Sequence, residues 1–516
     1  MFNKNNKQID IMTNMIYEKL VPKDHILVQI DSIIDFSFVY DIVKEKYSEN
    51  RGRKAYDAII LFKLCLLEYI YCLSDVQVVK RAKTDIVFRW FLGLNLDDAV
   101  PDDTTLSHFR IKRLGAEGLQ EIFDSIVKKC IEYNLIKTRR FIIDSTHVDA
   151  NVSFPSKRKL ICDAFRKVIR EIKKFDETLA EQWLNNFEQE IEAQYNESEN
   201  VSVSVFCEIA KKYAELIYLK TYDELQQNQK YNDAFTIFWD IVEQYSTSNT
   251  KNEIISCVDP DARVAHKSPG NKKRGYKNHI LIDEDSELMV AANQTPFNVN
   301  DDKELKNLIK KAEETFGLKP EELSADKGYG TTTNRAFLKD NGIKSNIKFQ
   351  DDSNRKPQYF TLDDFEISED LKSVTCPNKI TTYNYKRNYK KANDHYVLTF
   401  TFNKKICNSC PFRNQCFNPN SKSGRQVQIH ERYDAILNDK KNMKTNELAF
   451  KQAINKRYII ERRFGILVRY HGLRRCRYIK MTGAKIHIIL ANTACNIIRM
   501  VNLILNKKTS LSLATP

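Results

Sequence analysis

The stretch that decides the fold is Glu321–Gly330, EELSADKGYG. Within it, the short apolar-leaning run Leu323–Ala325 leads directly into Asp326, and a glycine turn follows at Gly328. Open α/β sheets place their chemistry where strands end in such turns. An Asp that precedes a Gly is also an ordinary turn. Asp326 is therefore a candidate catalytic residue only if other carboxylates can reach the same edge of the sheet.

Two distant carboxylates are candidates for that edge. The first is Asp144, which stands at the end of the apolar, β-branched run Phe141–Ile143, a pattern typical of a strand. Asp149 is its rival, but Asp144 directly follows the apolar run and is preferred. The second is Glu461, in a long helical region near the C-terminus. His147 is a candidate metal ligand, although a lone histidine more often makes a structural hydrogen bond.

The composition describes a globular chain with an excess of positive charge. At 516 residues the chain is too long for one core, and its length predicts roughly two to four domains. Lys and Arg number 82 against 68 Asp and Glu, a net charge of +14. This balance favours a polyanionic partner, most simply nucleic acid. An ordinary basic protein fits the charge as well.

Nothing in the sequence predicts export or membrane insertion. The N-terminal residues 1–20 lack the apolar core of a signal peptide. The longest apolar stretch, residues 486–505, carries a polar stripe that includes Asn492, Asn496 and Arg499, which predicts a largely buried helix. Most of the 12 cysteines have apolar neighbours, as in a reducing compartment. We therefore expect a cytoplasmic protein with no membrane partner.

Changes in composition divide the chain into six segments. The predicted segments are a helical, DNA-binding N-terminal domain at 1–130, the first part of a core at 131–154, a helical insertion at 155–255, the continued core at 256–350, a β-rich insertion at 351–430, and C-terminal core helices at 431–516. Strand patterns are confined to the core and the second insertion. The two insertions interrupt the core without changing the order of its elements.

The predicted DNA contacts lie in three basic stretches. An Asp or Thr among Asp102–Thr105 caps a helix that carries Arg110 and Arg113. Such a helix suits phosphate contact or groove recognition, and a solvated basic face explains it equally well. The stretch Asp259–Lys277 is predicted to be a basic loop along a phosphate backbone. The candidate contacts in that loop and near the C-terminus are Lys272, Lys273, Arg274, Arg474 and Arg475.

Without the insertions, the core elements follow the order of a ribonuclease H-like fold, a mixed five-stranded sheet flanked by helices. Carboxylates on its first and fourth strands lie side by side, here Asp144 and Asp326, and a late helix adds a third, here Glu461. Three carboxylates at one edge repel one another unless a cation neutralises them, and oxygen ligands suit Mg²⁺ or Mn²⁺. Two such ions about 3.5–4 Å apart can activate a water or a 3′-hydroxyl in phosphodiester displacement. The alternative is three unrelated surface acids.

Arg457 lies one helical turn before Glu461 and shares its face. It is either a surface partner of Glu461 or a contact to a DNA phosphate or flipped nucleotide.

Four cysteines need a separate explanation, because they form the pattern C-x30-C-x2-C-x5-C. Tetrahedral zinc takes four such thiolates, and four free cysteines in a small β module are the alternative. The cysteines are Cys376, Cys407, Cys410 and Cys416.

The motifs together resemble those of insertion-sequence transposases of the DDE class. RKAYDAIILFKLCLLEYIYCLSD, FRWFLGL and DDTTLSHFR resemble the helical N-terminal domain of that family. DSTHVDANVS, DPDAR, GYKNHILID and ADKGYG resemble its catalytic core, and IERRFGILVRYHGLRRCRY resembles its C-terminal glutamate helix. The resemblance covers most of residues 25–505 and implies Asp144, Asp326 and Glu461 as the catalytic triad.

One signature of related transposases is incomplete here. They carry a tyrosine before the arginine and a lysine after the glutamate, where this chain has Ile454 and Val468. The resemblance therefore leaves open whether this chain cleaves DNA by the hairpin route associated with that signature. The resemblance implies a homodimer that binds terminal inverted repeats, cleaves at the element ends with Mg²⁺, and joins the 3′-ends to target DNA. The alternatives are a transposase-derived DNA-binding protein without catalysis and another ribonuclease H-like nuclease.

Overall fold

The structure is a computed structural model. It describes residues 9–48, 55–197, 202–247, 252–268, 271–349, 358–391, 395–418, 421 and 423–513. Parts of the predicted basic loop and of both predicted insertions lie outside these described residues, namely 198–201, 248–251, 269–270, 351–357, 392–394, 419–420 and 422.

The N-terminal region is helical. Its helices are α1 Ile11–Leu20, α2 Ile26–Ile33, α3 Phe38–Val43, α4 Ala58–Ile70, α5 Asp75–Thr84, α6 Ile86–Leu92, α7 Asp103–His108 and α8 Gly115–Glu132. Asp102 caps α7, as predicted, because its side chain accepts a hydrogen bond from the Thr105 N–H. A π-helical segment, Phe109–Leu114, joins α7 to α8.

A second group of helices follows the first core strand. These are α9 Lys157–Ile172, α10 Glu177–Glu197, α11 Val203–Leu225 and α12 Gln229–Ser246. Apolar residues at helical spacing, such as Phe165, Ile169 and Ile172, are buried in a hydrophobic cluster formed largely by these helices. The amphipathic pattern explains why this segment packs mainly on itself.

The central sheet has six strands. They are β1 Arg140–Asp149, β2 Arg263–Ser268, β3 Asn271–Asp283, β4 Met289–Pro296, β5 Glu322–Ala325 and β6 Lys344–Ile347. β3 is antiparallel to β1, β2 and β4, whereas β5 is parallel to both β1 and β6. This mixed sheet is compatible with a ribonuclease H-like DDE domain.

The sheet differs from the predicted five strands because of β2. The stretch that was expected to be a basic loop instead contains β2 and the start of β3, paired from Arg263 opposite Gly275 to Ser268 opposite Asn271. β2 forms because its main chain hydrogen-bonds with that of the long strand β3. The sequence did not indicate this strand, because β2 has no apolar run. Gly275 is required at this position, because a Cβ there would collide with the Val148 carbonyl of β1.

Alternate residues of the core strands pack on opposite faces of the sheet. Ile142 and Ile280 belong to a large cluster shared with the N-terminal and C-terminal helices, whereas Ile143 and Leu281 pack with α13 Glu304–Phe316. This alternation follows from the two-residue period of a strand. The sheet is therefore covered on both faces. Helix α14, Thr332–Asp340, links β5 to β6.

The cysteine-containing segment forms two small sheets and two short helices. Its elements are β7 Glu366–Ile367, β8 Val374–Thr375, β9 Thr381–Thr382, β10 Tyr385–Lys390, β11 His395–Thr401, α15 Lys404–Asn408, α16 Arg413–Cys416 and β12 Gln426–His430. β7, β8 and β9 form one sheet, and β10, β11 and β12 form the other. A separate hydrophobic cluster holds the two sheets together.

The C-terminal helices return the chain to the central sheet. They are α17 Tyr433–Thr445, α18 Glu447–Asn455, α19 Tyr458–Tyr470 and α20 Lys480–Leu513. Residues 480–506 are long and apolar enough to cross a membrane, but 72% of their most apolar window is buried inside the protein. The polar stripe of α20 faces the sheet, where Asn492 bonds the Asn278 side chain and Asn496 bonds the Met289 backbone. The predicted burial of this helix is confirmed.

Candidate active site

Asp144 lies where one edge of β1 is no longer paired with β5. The parallel pairing of the two strands runs from Arg140 to Ile143, and Asp144 is the next residue. Its side chain is 20% exposed. The Ser145 N–H donates a hydrogen bond to Asp144 Oδ1 at 2.8 Å, which fixes the direction of the carboxylate.

Asp326 directly follows the last residue of β5. The short run Leu323–Ala325 is buried, as the sequence pattern predicts, and the chain then turns through a 3₁₀ segment, Lys327–Tyr329. The Tyr329 N–H closes this turn by bonding the Asp326 carbonyl. The Asp326 side chain is 49% exposed, so the turn presents its carboxylate to solvent beside β1.

Helix α19 supplies the third carboxylate. Arg457 immediately precedes the helix, and Glu461 lies in its first turn, where it is exposed. The opposite face of α19 is buried through Ile460, Phe464 and Leu467, which anchors the helix against the large cluster shared with the sheet. The apolar pattern of α19 therefore fixes which side chains face outwards.

These three elements meet in one cleft of about 570 Å³. Asp144, Asp326, Glu461 and Arg457 all line it, although the three acids come from widely separated parts of the chain. Asp149, the rival of Asp144, is absent from the described lining, and its backbone instead pairs with residues 474–476. The remaining lining comes mostly from β1, β3 and the segment 297–301.

Arg457 holds the two aspartates in place. Its guanidinium lies 3.1 Å from Asp326 Oδ1 and 3.8 Å from Asp144 Oδ2. Burial raises the pKa of Asp144 to about 6, although the Ser145 hydrogen bond and the Arg457 charge oppose this shift. The guanidinium thus supplies the positive charge that two neighbouring carboxylates require.

The chemistry of the cleft fits a hard divalent cation. Its donors are carboxylate oxygens, which Mg²⁺ and Mn²⁺ prefer, and a cationic group already lies between two of them. Among the described residues, no group of three or more histidine, cysteine, aspartate or glutamate side chains is arranged to hold a metal ion as it stands. A cation at this site would therefore require the carboxylates to close around it and Arg457 to move aside.

Some of the predicted DNA contacts are exposed to solvent, whereas others bond to neighbouring groups within the fold. Lys272, Arg274 and Arg475 are exposed, and Lys273 is half-buried. The half-buried Arg113 contacts the Tyr47 ring and donates to the Lys46 carbonyl. Arg474 donates to the ring and carbonyl of His147, so at least part of its guanidinium bonds within the fold. His147 therefore makes the structural hydrogen bond that was the alternative to metal ligation.

The prediction that Arg110 contacts DNA is wrong. Its side chain is 1% exposed and pairs with Glu68 at 3.0 Å and with Asp75 at 2.6 Å. The Tyr478 ring lies 4.7 Å from its guanidinium and covers it from the C-terminal side. Arg110 cannot reach a phosphate without exposing this cluster, since a buried charge needs its partners.

The four cysteines are neighbours in the cysteine-containing segment. Cys376, Cys407 and Cys416 contribute to its hydrophobic cluster. Burial raises the pKa of the Cys416 thiol, and the nearby Cys407, Cys376 and Cys410 raise it further. No group of three or more cysteines in the described residues is arranged to hold a metal ion as it stands. Zinc therefore stays a prediction.

Asp301 is a residue of the cleft that the sequence did not reveal. An acid in this position, just before a helix, is typical of a helix cap, but the Asp301 carboxylate instead accepts hydrogen bonds from Ser145 Oγ at 2.9 Å and Lys277 Nζ at 2.8 Å. It lines the same cleft as the triad. An acid at the start of a helix gives no sequence signal that separates the two roles.

Two family models match the chain. Residues 15–112 match the family described as Transposase domain (DUF772), and residues 375–501 match the family described as Transposase DDE domain. The chain belongs to the DDE-class insertion-sequence transposases. Glu461 lies within the second matched stretch of this transposase, whereas Asp144 and Asp326 lie between the two stretches. No solved structure matches the transposase.

Proposed function

We propose that this transposase binds the terminal inverted repeats of its element as a homodimer, cleaves the DNA at the element ends, and joins the freed 3′-ends to target DNA. The observation that carries the proposal is the meeting of Asp144, Asp326 and Glu461 in one cleft beside Arg457. Both matched families are transposase families, which agrees with DNA as the partner. The reaction takes place in the cytoplasm, on chromosomal DNA.

The three carboxylates would hold Mg²⁺ or Mn²⁺. The cation would activate the attacking oxygen and stabilise the leaving oxygen of a phosphodiester. Asp144 is directed by the Ser145 N–H and Asp326 by its turn, so both are oriented before substrate arrives. Arg457, released from the aspartates, would be free to pair with a DNA phosphate at the same cleft.

The exposed basic residues near the cleft would bind the DNA backbone irrespective of sequence. Lys272 and Arg274 lie on β3, and Arg475 lies in the segment whose main chain pairs with the end of β1. Sequence preference must come from other surfaces, because the cleft must accept any DNA that it cleaves. The N-terminal helices, with Arg113 at their surface, are proposed to supply that preference.

The proposal is tested with duplexes that end in the terminal inverted repeats of the element. The full chain should cleave them in Mg²⁺, whereas Asp144→Asn should bind them without cleavage. Asp149→Asn is the matched control on the same strand and should cleave as the wild-type chain does. Binding without cleavage by the wild-type chain would instead identify a DNA-binding protein derived from a transposase. Cleavage without joining or preference for the repeats would identify another nuclease.

The zinc prediction is tested separately. If Cys376, Cys407, Cys410 and Cys416 close around zinc, freshly reduced protein should contain about one zinc per chain by elemental analysis. Replacement of Cys410 by Ser should remove the zinc and destabilise this segment. Protein without zinc would contradict the zinc site and leave the proposed reaction unaffected, because the cysteines are absent from the described lining of the cleft.

A further inference from the structure

Asp301 lines the cleft and accepts two side-chain hydrogen bonds there. It opens a 3₁₀ turn, Asp301–Lys303, before α13. Neither this turn nor α13 has a side-chain cap hydrogen bond at its N-terminus. The carboxylate is therefore not occupied in capping. It faces the strands, where Ser145 Oγ and Lys277 Nζ both donate to the same oxygen, Oδ1.

Ser145 connects Asp301 to the triad. Its side chain donates to Asp301 at 2.9 Å, while its N–H donates to Asp144 Oδ1 at 2.8 Å. One residue thus joins two carboxylates through two separate hydrogen bonds. If the side-chain bond is lost, the residue whose N–H directs Asp144 loses its tie to Asp301 and keeps only the restraint of the strand pairing.

The neighbours of Asp301 hold it firmly in this position. Lys277 Nζ also donates to the Val299 carbonyl at 2.8 Å, so two hydrogen bonds fix the position of its ammonium group. The charge of Lys277 compensates Asp301, which would otherwise add one more unpaired negative charge to the cleft. Lys277 and Ser145 lie on the paired strands β3 and β1, so the sheet itself sets their separation.

A buried histidine, His279, lies beside Asp301. His279 is 0% exposed, and its Nε2 pairs with Thr295 Oγ1 at 2.8 Å. Its Nδ1 lies 3.9 Å from Asp301 Oδ1 and has no hydrogen-bond partner among the described residues. A buried nitrogen without a partner needs an explanation of its own, and a bound water or a role at the adjoining cleft would each supply one.

We infer that Asp301 is a positioning residue of the transposase, which acts through Ser145 to fix the direction in which Asp144 presents its carboxylate to the cleft. This inference rests on the proposed function. Metal-binding and catalytic carboxylates depend on hydrogen-bonded neighbours that orient them, and loss of such a neighbour costs about 10–100-fold in metal affinity or activity. Asp301 fills that place for Asp144.

The test uses full-length protein and two measurements, cleavage of terminal-repeat DNA and binding of Mn²⁺ alone by calorimetric titration. Asp301→Ala should reduce both the cleavage rate and the Mn²⁺ affinity by about 10–100-fold, with unchanged affinity for DNA. Asp301→Asn keeps an oxygen that can accept the Ser145 hydrogen bond, and it should restore most of the loss. Ser145→Ala should reproduce the effect of Asp301→Ala, and the double variant should be no worse than either single variant.

Asp302→Ala is the matched control, because Asp302 belongs to the same turn but is absent from the described lining of the cleft. It should leave both measurements unchanged. Wild-type values for Asp301→Ala would overturn the inference, as would multiplicative losses in the double variant. An Asp301→Asn protein as inactive as Asp144→Asn would assign Asp301 a direct role instead. If the wild-type chain fails to cleave, the proposed function fails, whereas the Mn²⁺ titrations still decide the role of Asp301.

Discussion

Arg110 and Arg457 each lie between two carboxylates, but in regions of opposite character. The Arg110 side chain is 1% exposed, within a cluster sealed by N-terminal helices and by Tyr478. The Arg457 side chain is 19% exposed and borders a cleft. The same kind of ion pairing can therefore stabilise a buried core or orient the carboxylates of an accessible site. The difference is whether a ligand can replace the arginine.

The two regions also differ in how their charges are compensated. In the sealed cluster, Glu68 is itself buried, and Arg477 lies 3.8 Å from it as a second cation. In the cleft, Asp326 remains 49% exposed and Glu461 is exposed. Carboxylates that remain accessible can exchange an arginine for a metal ion, whereas buried ones cannot. We expect substitutions in the two regions to affect different quantities.

The largest expected effect is on the sealed cluster. Arg110→Met should lower the free energy of unfolding by about 3–5 kcal/mol, because it leaves the buried Glu68 carboxylate without its nearest cationic partner. Chemical denaturation followed by circular dichroism measures this. Lys112→Gln, an exposed change in the same π-helical segment, is the control and should have little effect. If Arg110→Met leaves the stability unchanged and weakens DNA binding, Arg110 contacts DNA after all, and the two arginines do not differ in the way described.

The next effect is on the cleft. Arg457→Met should reduce cleavage by about 100–1,000-fold, the range found when one preorganised charge-stabilising donor is removed, and should change stability little. Rates on terminal-repeat DNA and unfolding midpoints measure the two quantities. Arg462→Met is the control, because Arg462 lies on the same helix but pairs with Glu287 outside the described cleft lining. Equal losses in both variants would mean that α19 tolerates no change of charge.

The smallest effects should come from exposed basic residues. Each of Lys272→Gln, Arg274→Gln and Arg475→Gln should reduce the slope of log affinity against log salt by about 0.9 if it removes one phosphate contact. Binding titrations at several salt concentrations, with terminal-repeat and scrambled duplexes, measure the slope. Both duplexes should lose affinity alike. A loss confined to the terminal repeat would show that these residues read sequence.

The strands that end at the site could be predicted, because a short apolar run in the sequence is enough to indicate a strand. Phe141–Ile143 and Leu323–Ala325 are apolar runs that end in an acid, and both form strands of the central sheet. Strand β2 was missed, because a stretch with few apolar residues gains its structure from pairing with β3. A single sequence shows an apolar run directly, but it does not show which distant strand will offer main-chain partners.

The side-chain roles were harder to predict than the strands. Arg110 looks like a solvent-facing member of a capped basic helix, and its burial depends on Glu68 and Tyr478, both far from it in sequence. Asp301 has the sequence pattern of a helix-capping acid, and its contact with Ser145 requires the register of the folded sheet. In both cases the local signal fits two roles, and only contacts between distant segments separate them.

The measurement that tests the central claim most directly is calorimetric titration of Mn²⁺ into the full chain and its carboxylate variants. The account predicts that the wild-type chain binds Mn²⁺ and that Asp144→Asn, Asp326→Asn and Glu461→Gln each weaken this binding, while Asp149→Asn does not. All three acids line one cleft, and Asp149 is absent from its described lining. Wild-type affinity in any triad variant, or its loss in Asp149→Asn, would contradict the assignment of this cleft as the catalytic centre.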